Sequence, residues 1–416
     1  MILKSKMNLQ DLNEKIVNKT FINKNLDVDN AYKITERLAF PRLVGSEGEK
    51  KAIEIVVEEF KKAGYNLIYK ESFKTSLYVW TVLRYAFIPV SFCLIFLSIS
   101  FFINPWLTLG LILLNAYVCA KILGLATSSK TRLFRNDQKN FTTQNIYTDL
   151  KSKNSKAKVI FLGHWDSKSQ TFPSNIRVLL FIITLFSFII VILLYLVLSI
   201  IQLIIPFNNL ILNNVMLYFC IAISIISNFS YFNKTENKSP GAYDNAAAVG
   251  AIIELARFYR NNPISNIDFI FLCPSSEELN LAGAKHFIQN HKNEFDKKST
   301  YFINLDPIGG NELIRLITSF GIPRKFSSQK LNKLFLKNAN KLKINIKDIY
   351  LPTGMWSDYM PIVEEGFEAC WLGSQPGLKY VHTKKDNMDL VSKEGIENIL
   401  FLCTAVVNEL NNELDL

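Results

Sequence analysis

Charge is missing from two long stretches of this 416-residue chain: no Asp, Glu, Lys or Arg lies between Tyr85 and Ala120, or between Val178 and Asn233. A helix packed on a soluble core needs only one apolar face, so uncharged runs of this length exclude an ordinary water-soluble domain there. Each is long enough for two membrane crossings of about 20 residues. Paired cysteine spacing is missing as well. Of six cysteines, Cys93, Cys119 and Cys220 fall in the uncharged stretches, and Cys273, Cys370 and Cys403 in other apolar runs. They read as buried small hydrophobes in a reducing compartment, not as a disulfide framework. No signal peptide is expected, because Met1-Ile-Leu-Lys-Ser-Lys6 leads into a charged polar segment. Internal repeats are absent, and the Asn/Lys bias is compositional.

What is present in the uncharged stretches is helical punctuation. The first breaks at Asn104-Pro-Trp106, predicting helices near Tyr85–Ile103 and Trp106–Leu125. The second predicts Leu179–Ile205, a break at Pro206-Phe-Asn-Asn209, and a further helix near Leu212–Ser230. Four transmembrane helices in two hairpins return the chain each time to the side it left. The net charge of +11, from 47 Lys+Arg against 36 Asp+Glu, raises the idea of a nucleic-acid partner, but its placement argues against one. Lys70, Lys74, Arg84, Lys121, Lys130, Arg132, Arg135, Lys168, Arg177, Lys234 and Lys238 flank the helix ends on the globular side, and the hairpin tips carry no Lys or Arg. The partner implied is a lipid bilayer, and the expectation is a multi-pass integral protein of the cell membrane with its globular part cytoplasmic. The expected division is residues 1–78, 129–174 and 234–416 for the globular domain, with hairpins at 79–128 and 175–233 inserted into it.

The globular pieces alternate between two periods. Helices are expected at Ala31–Leu38, Glu47–Gly64, Ala247–Arg260, 281–293, Ser328–Lys341 and 392–413; strands at Asn66–Phe73, Thr143–Asp149, Ala157–Gly163, 267–273, 300–305 and 367–373. This alternation predicts an α/β fold with a central, mostly parallel sheet flanked by helices.

Five metal-capable segments punctuate that pattern: Gly163-His-Trp-Asp-Ser167, Ser239-Pro-Gly-Ala-Tyr-Asp-Asn-Ala246, Pro274-Ser-Ser-Glu-Glu278, Ile303-Asn-Leu-Asp306 and Tyr380-Val-His-Thr383. Three follow predicted strands, so His164, the pair Glu277-Glu278, and Asp306 would gather at the carboxyl edge of the sheet, where open α/β sheets hold their ligands. Two His and three carboxylates from separate segments are what a pair of divalent cations needs. Asp166, two residues from His164, shares its face on an extended chain and would either ligate or orient a ligand. Adjacent Glu277 and Glu278 point different ways on an extended segment, so one can hold metal while the other works as a base. Other readings stay open at single positions: Asp244 as a helix N-cap, His382 as an exposed loop residue beside Lys384, Lys385 and Asp386. His286 and His291 read as structural.

These segments, with Pro41-Arg-Leu-Val-Gly-Ser46 and Glu277-Glu-Leu-Asn-Leu-Ala-Gly-Ala284, closely resemble the co-catalytic di-zinc aminopeptidase family, which includes bacterial leucyl aminopeptidases, glutamate carboxypeptidase and the transferrin-receptor ectodomain. The resemblance covers about residues 30–75, 141–170 and 236–410. It implies two zinc ions per chain, Asp244 bridging them, His164 and Asp306 completing one site, Glu278 and His382 the other. It further implies that Asp166 orients His164 and Glu277 is the general base of a metallopeptidase, an aminopeptidase acting on peptide substrates. Ser357-Asp358 matches a Ser-Asp-His element of the family, with Tyr359 replacing His. Two alternatives stand beside this: a glutaminyl cyclase-like zinc enzyme and an inactive binding protein on the peptidase fold. The compact segment after Glu278 favours the peptidase, and retention of all the ligand types argues against the binding protein. The hairpins are expected to anchor the domain or to present membrane-embedded substrates. Oligomeric state has no signature in the sequence.

Overall fold

The computed structural model describes residues 25–415 apart from 86, 128–140, 208, 353–355 and 376–378. The segment Met1–Lys6 and the flanking cations Lys130, Arg132 and Arg135 therefore lie outside the described residues. The strands are β1 (Tyr69–Thr75), β2 (Phe141–Leu150), β3 (Ala157–Leu162), β4 (Ser169–Gln170), β5 (Thr235–Glu236), β6 (Ile267–Cys273), β7 (Thr300–Leu305), β8 (Ile314–Phe320), β9 (Lys325–Phe326), β10 (Ile346–Leu351) and β11 (Glu368–Ser374). Nine of them form one sheet in the order β1-β2-β6-β3-β7-β11-β8-β10, with β9 on β8; β4 and β5 pair separately.

The centre of that sheet, β6-β3-β7-β11, is parallel, while β2 and β1 on one side run antiparallel, as does β8 against β11. Burial explains the pattern. β7 is buried along its whole length and β3 nearly so, the continuous apolar run expected of a strand covered on both faces. One face is covered by helices Val28–Leu38, Glu47–Lys62, Ala247–Asn261 and Lys393–Asp415, the other by Ala282–His291 and Tyr359–Glu364. The expected α/β class with a mostly parallel central sheet is thus what is observed. Strands β8 and β10, absent from the sequence reading, extend one end of the sheet.

Helix Glu47–Lys62 illustrates how local chemistry sets the elements. Ser46 caps it by accepting from the Glu49 N–H at 3.3 Å, and Ala52, Ile55, Val56 and Phe60 form its buried stripe. Asp244, by contrast, is no cap. Its φ of −117° and ψ of 87° are non-helical, and the helix Ala247–Asn261 begins without a side-chain cap.

The uncharged stretches are helical: Phe87–Ile103, Pro105–Thr127, Ser174–Ile204 and Leu210–Asn228. Pro105 starts its helix, where a missing N–H costs nothing, and Asn209 caps another by accepting from Leu212 N at 3.0 Å. Among the described residues two helices, not the four expected, have both the length and the apolarity to cross a membrane: Ser174–Ile204 and the run Leu210–Phe232. The described apolar stretches of the other two, Phe87–Ile103 and Pro105–Tyr117, are shorter. The first pair packs on the second through Leu94, Leu97, Phe101, Val191, Tyr195 and Ile223. Polar groups pair inside this cluster: Tyr195 OH donates to Ser98 Oγ at 2.8 Å, and Asn228 Nδ2 to Ser91 Oγ at 2.7 Å. Of the described cysteines, Cys220, Cys273, Cys370 and Cys403 are buried, Cys93 is half-buried, and all are free thiols.

Candidate active site

All seven residues singled out from the sequence meet at the carboxyl edge of β3, β6 and β7. β3 ends at Leu162, and the next residue must be glycine: a Cβ on Gly163 would sit 2.8 Å from Ala248 Cβ and 3.0 Å from the Leu305 carbonyl. The turn delivers His164, which is 1% exposed. Its Nδ1 donates to the Asp166 carbonyl at 3.0 Å, leaving Nε2 facing Asp244 Oδ1 at 3.1 Å and Asp306 Oδ1 at 3.5 Å. Asp166 Oδ1 lies 3.5 Å from the same Nδ1 and accepts from the Glu277 backbone N–H at 3.3 Å. Asp166 therefore touches the ring from below and fixes the Glu277 backbone at once.

Asp244 stands between two histidines. Its second oxygen, Oδ2, lies 3.3 Å from His382 Nε2, and His382 Nε2 is 3.0 Å from Glu278 Oε2. Two trios of nitrogen and carboxylate donors result, His164–Asp244–Asp306 and Asp244–Glu278–His382, each with its ligand atoms within 4.8 Å of one another. Glu277 belongs to neither trio; its Oε2 is 3.9 Å from His164 Nε2. His286 and His291 lie elsewhere, against Glu71 at 3.6 and 3.5 Å, as structural residues.

Several further residues hold the site, in roles that the sequence reading did not assign to them. Asp386, fully buried, accepts from the backbone N–H groups of Tyr243 at 2.8 Å and Asp244 at 3.3 Å, so it positions the shared carboxylate. Arg42, also fully buried, donates to the carbonyls of Leu38, Phe40, Trp165, Pro240 and Gly241, tying both ligand loops to the first segment. Gly241, at φ +59°, makes that approach possible, since a Cβ there would lie 2.6 Å from Ser167 Cβ and 3.0 Å from the Arg42 guanidinium. Ser357 donates its hydroxyl to Asp306 Oδ2 at 2.5 Å. Tyr359, the replacement for the family's His, is fully buried beside Phe320 and does not reach the site cluster. Lys168 pairs with Glu278 Oε2 at 2.8 Å, and Arg177 donates to His382 Nδ1 at 2.8 Å. With Nδ1 accepting, a neutral His382 ring carries its proton on Nε2, so holding a cation there requires the Arg177 guanidinium to turn away.

The electrostatics are those of a crowded anionic cavity. Burial, with Asp306 and Glu278 close by, lifts Glu277 well above the ordinary carboxyl range, against the pull of His164. Burial also lifts Asp358 and Asp386 well above theirs. Burial works the other way on His164, but Glu277 and the carboxylates bonded to the ring outweigh it and raise its pKa. Glu278 would be raised by burial too, yet His382 and Lys168 hold it at about 2. Both Asp358 carboxylate oxygens and Asp166 Oδ2 are buried without a hydrogen-bond partner. So many buried carboxylates facing so few cationic side chains is an arrangement that divalent cations relieve. Imidazole nitrogen plus carboxylate oxygen in two trios suits zinc.

Comparison with known proteins agrees with this chemistry. The family description Peptidase family M28 matches residues 229–407. Aminopeptidase YwaD of Bacillus subtilis (strain 168) is 28% identical over 184 residues, 41% of this chain; the aligned part spans 38% of that relative's length. Among solved structures, BSAP, a zinc aminopeptidase from Bacillus subtilis, superposes with a TM-score of 0.51 at 15% identity, covering 92% of this chain and 95% of that one. A glutaminyl cyclase from an Acidobacteriales bacterium superposes at 0.53 and 13% identity, covering 94% and 96%. Residues 229–407 thus match peptidase family M28, and the sheet that carries the ligand segments has the fold of the solved zinc aminopeptidase.

Proposed function

We propose that this chain is a membrane-anchored, zinc-dependent metallopeptidase, an aminopeptidase that hydrolyses the first peptide bond of its substrates. One observation carries the reading: two donor trios share Asp244, and a third, non-ligating carboxylate, Glu277, stands beside them. His164 and Asp306 would hold one zinc, Glu278 and His382 the other, with Asp244 between. Two zinc ions bound there would polarise the scissile carbonyl and acidify a water. Glu277 then takes the proton of the attacking water and returns it to the leaving amine, a task served by a carboxyl whose pKa burial has raised. Asp166 keeps the His164 ring in one orientation through Nδ1, and Ser357 keeps Asp306 in place.

The anchoring half of the proposal is supported by where apolar surface lies. On Ser174–Ile204, Phe181, Ile190, Leu193 and Val197 are about half exposed, a continuous apolar surface that water does not tolerate and lipid does. Cations at the globular-side helix ends support a peptidase domain on the cytoplasmic side. It is built from residues 1–78, 129–174 and 234–416, with the inserted segments at 79–128 and 175–233.

The test is Glu277→Gln in the full chain purified in detergent. It should keep bound metal and lose hydrolysis of aminoacyl peptides by ~10² to 10⁴-fold; unchanged turnover rejects the assignment. The glutaminyl cyclase fold is equally similar, so the same preparation is offered a peptide with N-terminal glutamine. Ammonia release without bond cleavage would replace hydrolysis by cyclisation.

A further inference from the structure

Both inserted segments touch the site itself. Trp80, on helix Tyr78–Tyr85 leading into the first one, donates its indole N–H to the Glu278 carbonyl at 2.7 Å, and Lys168 Nζ lies 4.1 Å from the centre of its ring. Arg177, in the first turn of Ser174–Ile204, reaches His382 Nδ1 at 2.8 Å. The uncharged run begins at the very next residue, and Val178 and Leu179 are 52% and 56% exposed. Arg177 therefore lies between a ligand-bearing loop and the first outward-facing apolar residues, whichever way its guanidinium turns. β4 and β5 make the same connection through the backbone: Gln170 N–H donates to the His382 carbonyl at 2.9 Å, while Thr171 N–H donates to Lys234 O at 3.1 Å, next to the other end of the hairpin.

The layer where the segments enter has the composition of a headgroup zone. Arg84 donates to the Tyr231 carbonyl and stacks on its ring at 4.6 Å; Tyr85 meets Tyr231 edge-on at 5.4 Å; Phe172 stacks on Phe229 at 6.1 Å. Arg and Tyr at helix ends, with Phe just inside, mark the boundary between water and hydrocarbon. This layer adjoins β4, one backbone hydrogen bond from His382. With Ser174–Ile204 and Leu210–Phe232 across a bilayer, the site would sit at the membrane surface, not at the far end of a domain projecting into water.

We infer that the substrate is the amino terminus of a peptide chain anchored in the same bilayer, met within a few residues of where it leaves the lipid. The inference rests on the membrane-anchored peptidase reading above. Co-localisation alone would speed cleavage of any anchored peptide, so rate is not the discriminating quantity; reach is. An extended chain spans at most about 3.3–3.6 Å per residue, so a site raised well above the membrane would need long spacers, and a site at the surface would not.

The experiment reconstitutes the full chain in vesicles and supplies peptides with one membrane helix, their amino termini on the peptidase side, separated from the helix by spacers of increasing length. A soluble peptide of the same N-terminal sequence is the reference. The expected result is full cleavage at spacers of a few residues, with no gain on lengthening. A second readout uses Glu277→Gln with a photoreactive group near the peptide's amino terminus: the short-spacer peptide should crosslink to the peptidase domain. Cleavage and crosslinking confined to long spacers, or cleavage of the soluble peptide alone, overturns the inference and leaves the peptidase reading intact. No cleavage of any peptide, soluble or anchored, removes the peptidase reading and the inference with it.

Discussion

In the α/β part, Phe161, Phe269 and Phe271 are enclosed, whereas in the inserted helices Phe181, Phe186 and Ile190 face outward with about half their surface uncovered. The polar groups differ in the opposite sense. Around His164, ionisable side chains crowd into a buried cavity, most braced by backbone or by another side chain, while both Asp358 oxygens have no hydrogen-bond partner. In the helix cluster Ser91, Ser98 and Tyr195 are buried and uncharged, and with half-buried Asn228 they pair with one another. The partner a buried polar group finds depends on its surroundings. Around the two donor trios the partners include charged groups; in the inserted helices they are hydroxyls and amides.

The largest effect that would sharpen this contrast is expected at Arg42. Arg42→Ala leaves the five carbonyls on Leu38, Phe40, Trp165, Pro240 and Gly241 without their donor. The α/β part should lose ~3–5 kcal/mol, as for removal of one buried charged partner. Protease resistance of the inserted helices in lipid should stay unchanged, and a parallel loss of both would show that the two parts do not fold as separate units.

Next in size is Ile190→Lys, at a half-exposed position near the middle of Ser174–Ile204. A lysine there costs roughly 2.5–3.5 kcal/mol of insertion, read as a reduced membrane-integrated fraction. Peptide hydrolysis per integrated molecule should stay the same. Normal integration would mean that this helix is not lipid-facing.

The smallest effect concerns Glu71, which accepts from Asn290 at 2.5 Å and lies 3.5 Å from His291. Burial opposes its ionisation, but the bond to His291 and the two Asn donors hold its pKa at about 2. Its contribution is present above the unfolded value near 4.3 and is lost as pH falls through about 2. His291 is raised, chiefly by the bond to Glu71, so its share is present below about 6.5 and is lost as pH rises through its folded value. The gap in thermal stability between wild type and Glu71→Gln should be widest near pH 5–6, amounting to about 1 kcal/mol or less. A gap independent of pH would remove the ion pair from the account.

Much of the site was legible because its ligands end apolar runs: His164 after β3, Glu277 and Glu278 after β6, Asp306 after β7. A carboxyl-edge site follows from the period of the strands. Asp386 was not legible, since it sits among lysines in a loop that reads as solvated yet folds beneath Tyr243. Arg42 acts on backbone carbonyls up to 199 positions away, and such contacts leave no spacing to recognise. Trp80 and Arg177 were hidden for another reason: they lie on the inserted segments, which read as separable from the chemistry. The sequence also overstated the membrane part. Absence of charge marks a helix that lipid accepts, but among the described residues Ser174–Ile204 and Leu210–Phe232 are the ones that join it to the length a crossing needs. Strands β8 and β10 mix charged with apolar residues at the end of the sheet, where half-burial blurs alternation.

The central claim is the pair of cation sites sharing Asp244. Metal analysis of the full chain purified in detergent, alongside aminoacyl-peptide hydrolysis before and after chelation, tests it most directly. The account predicts roughly two zinc ions per chain, hydrolysis lost on chelation and restored by zinc, and both lost in Asp244→Asn. Hydrolysis that survives complete metal removal, or an Asp244→Asn protein with full metal content, would contradict it.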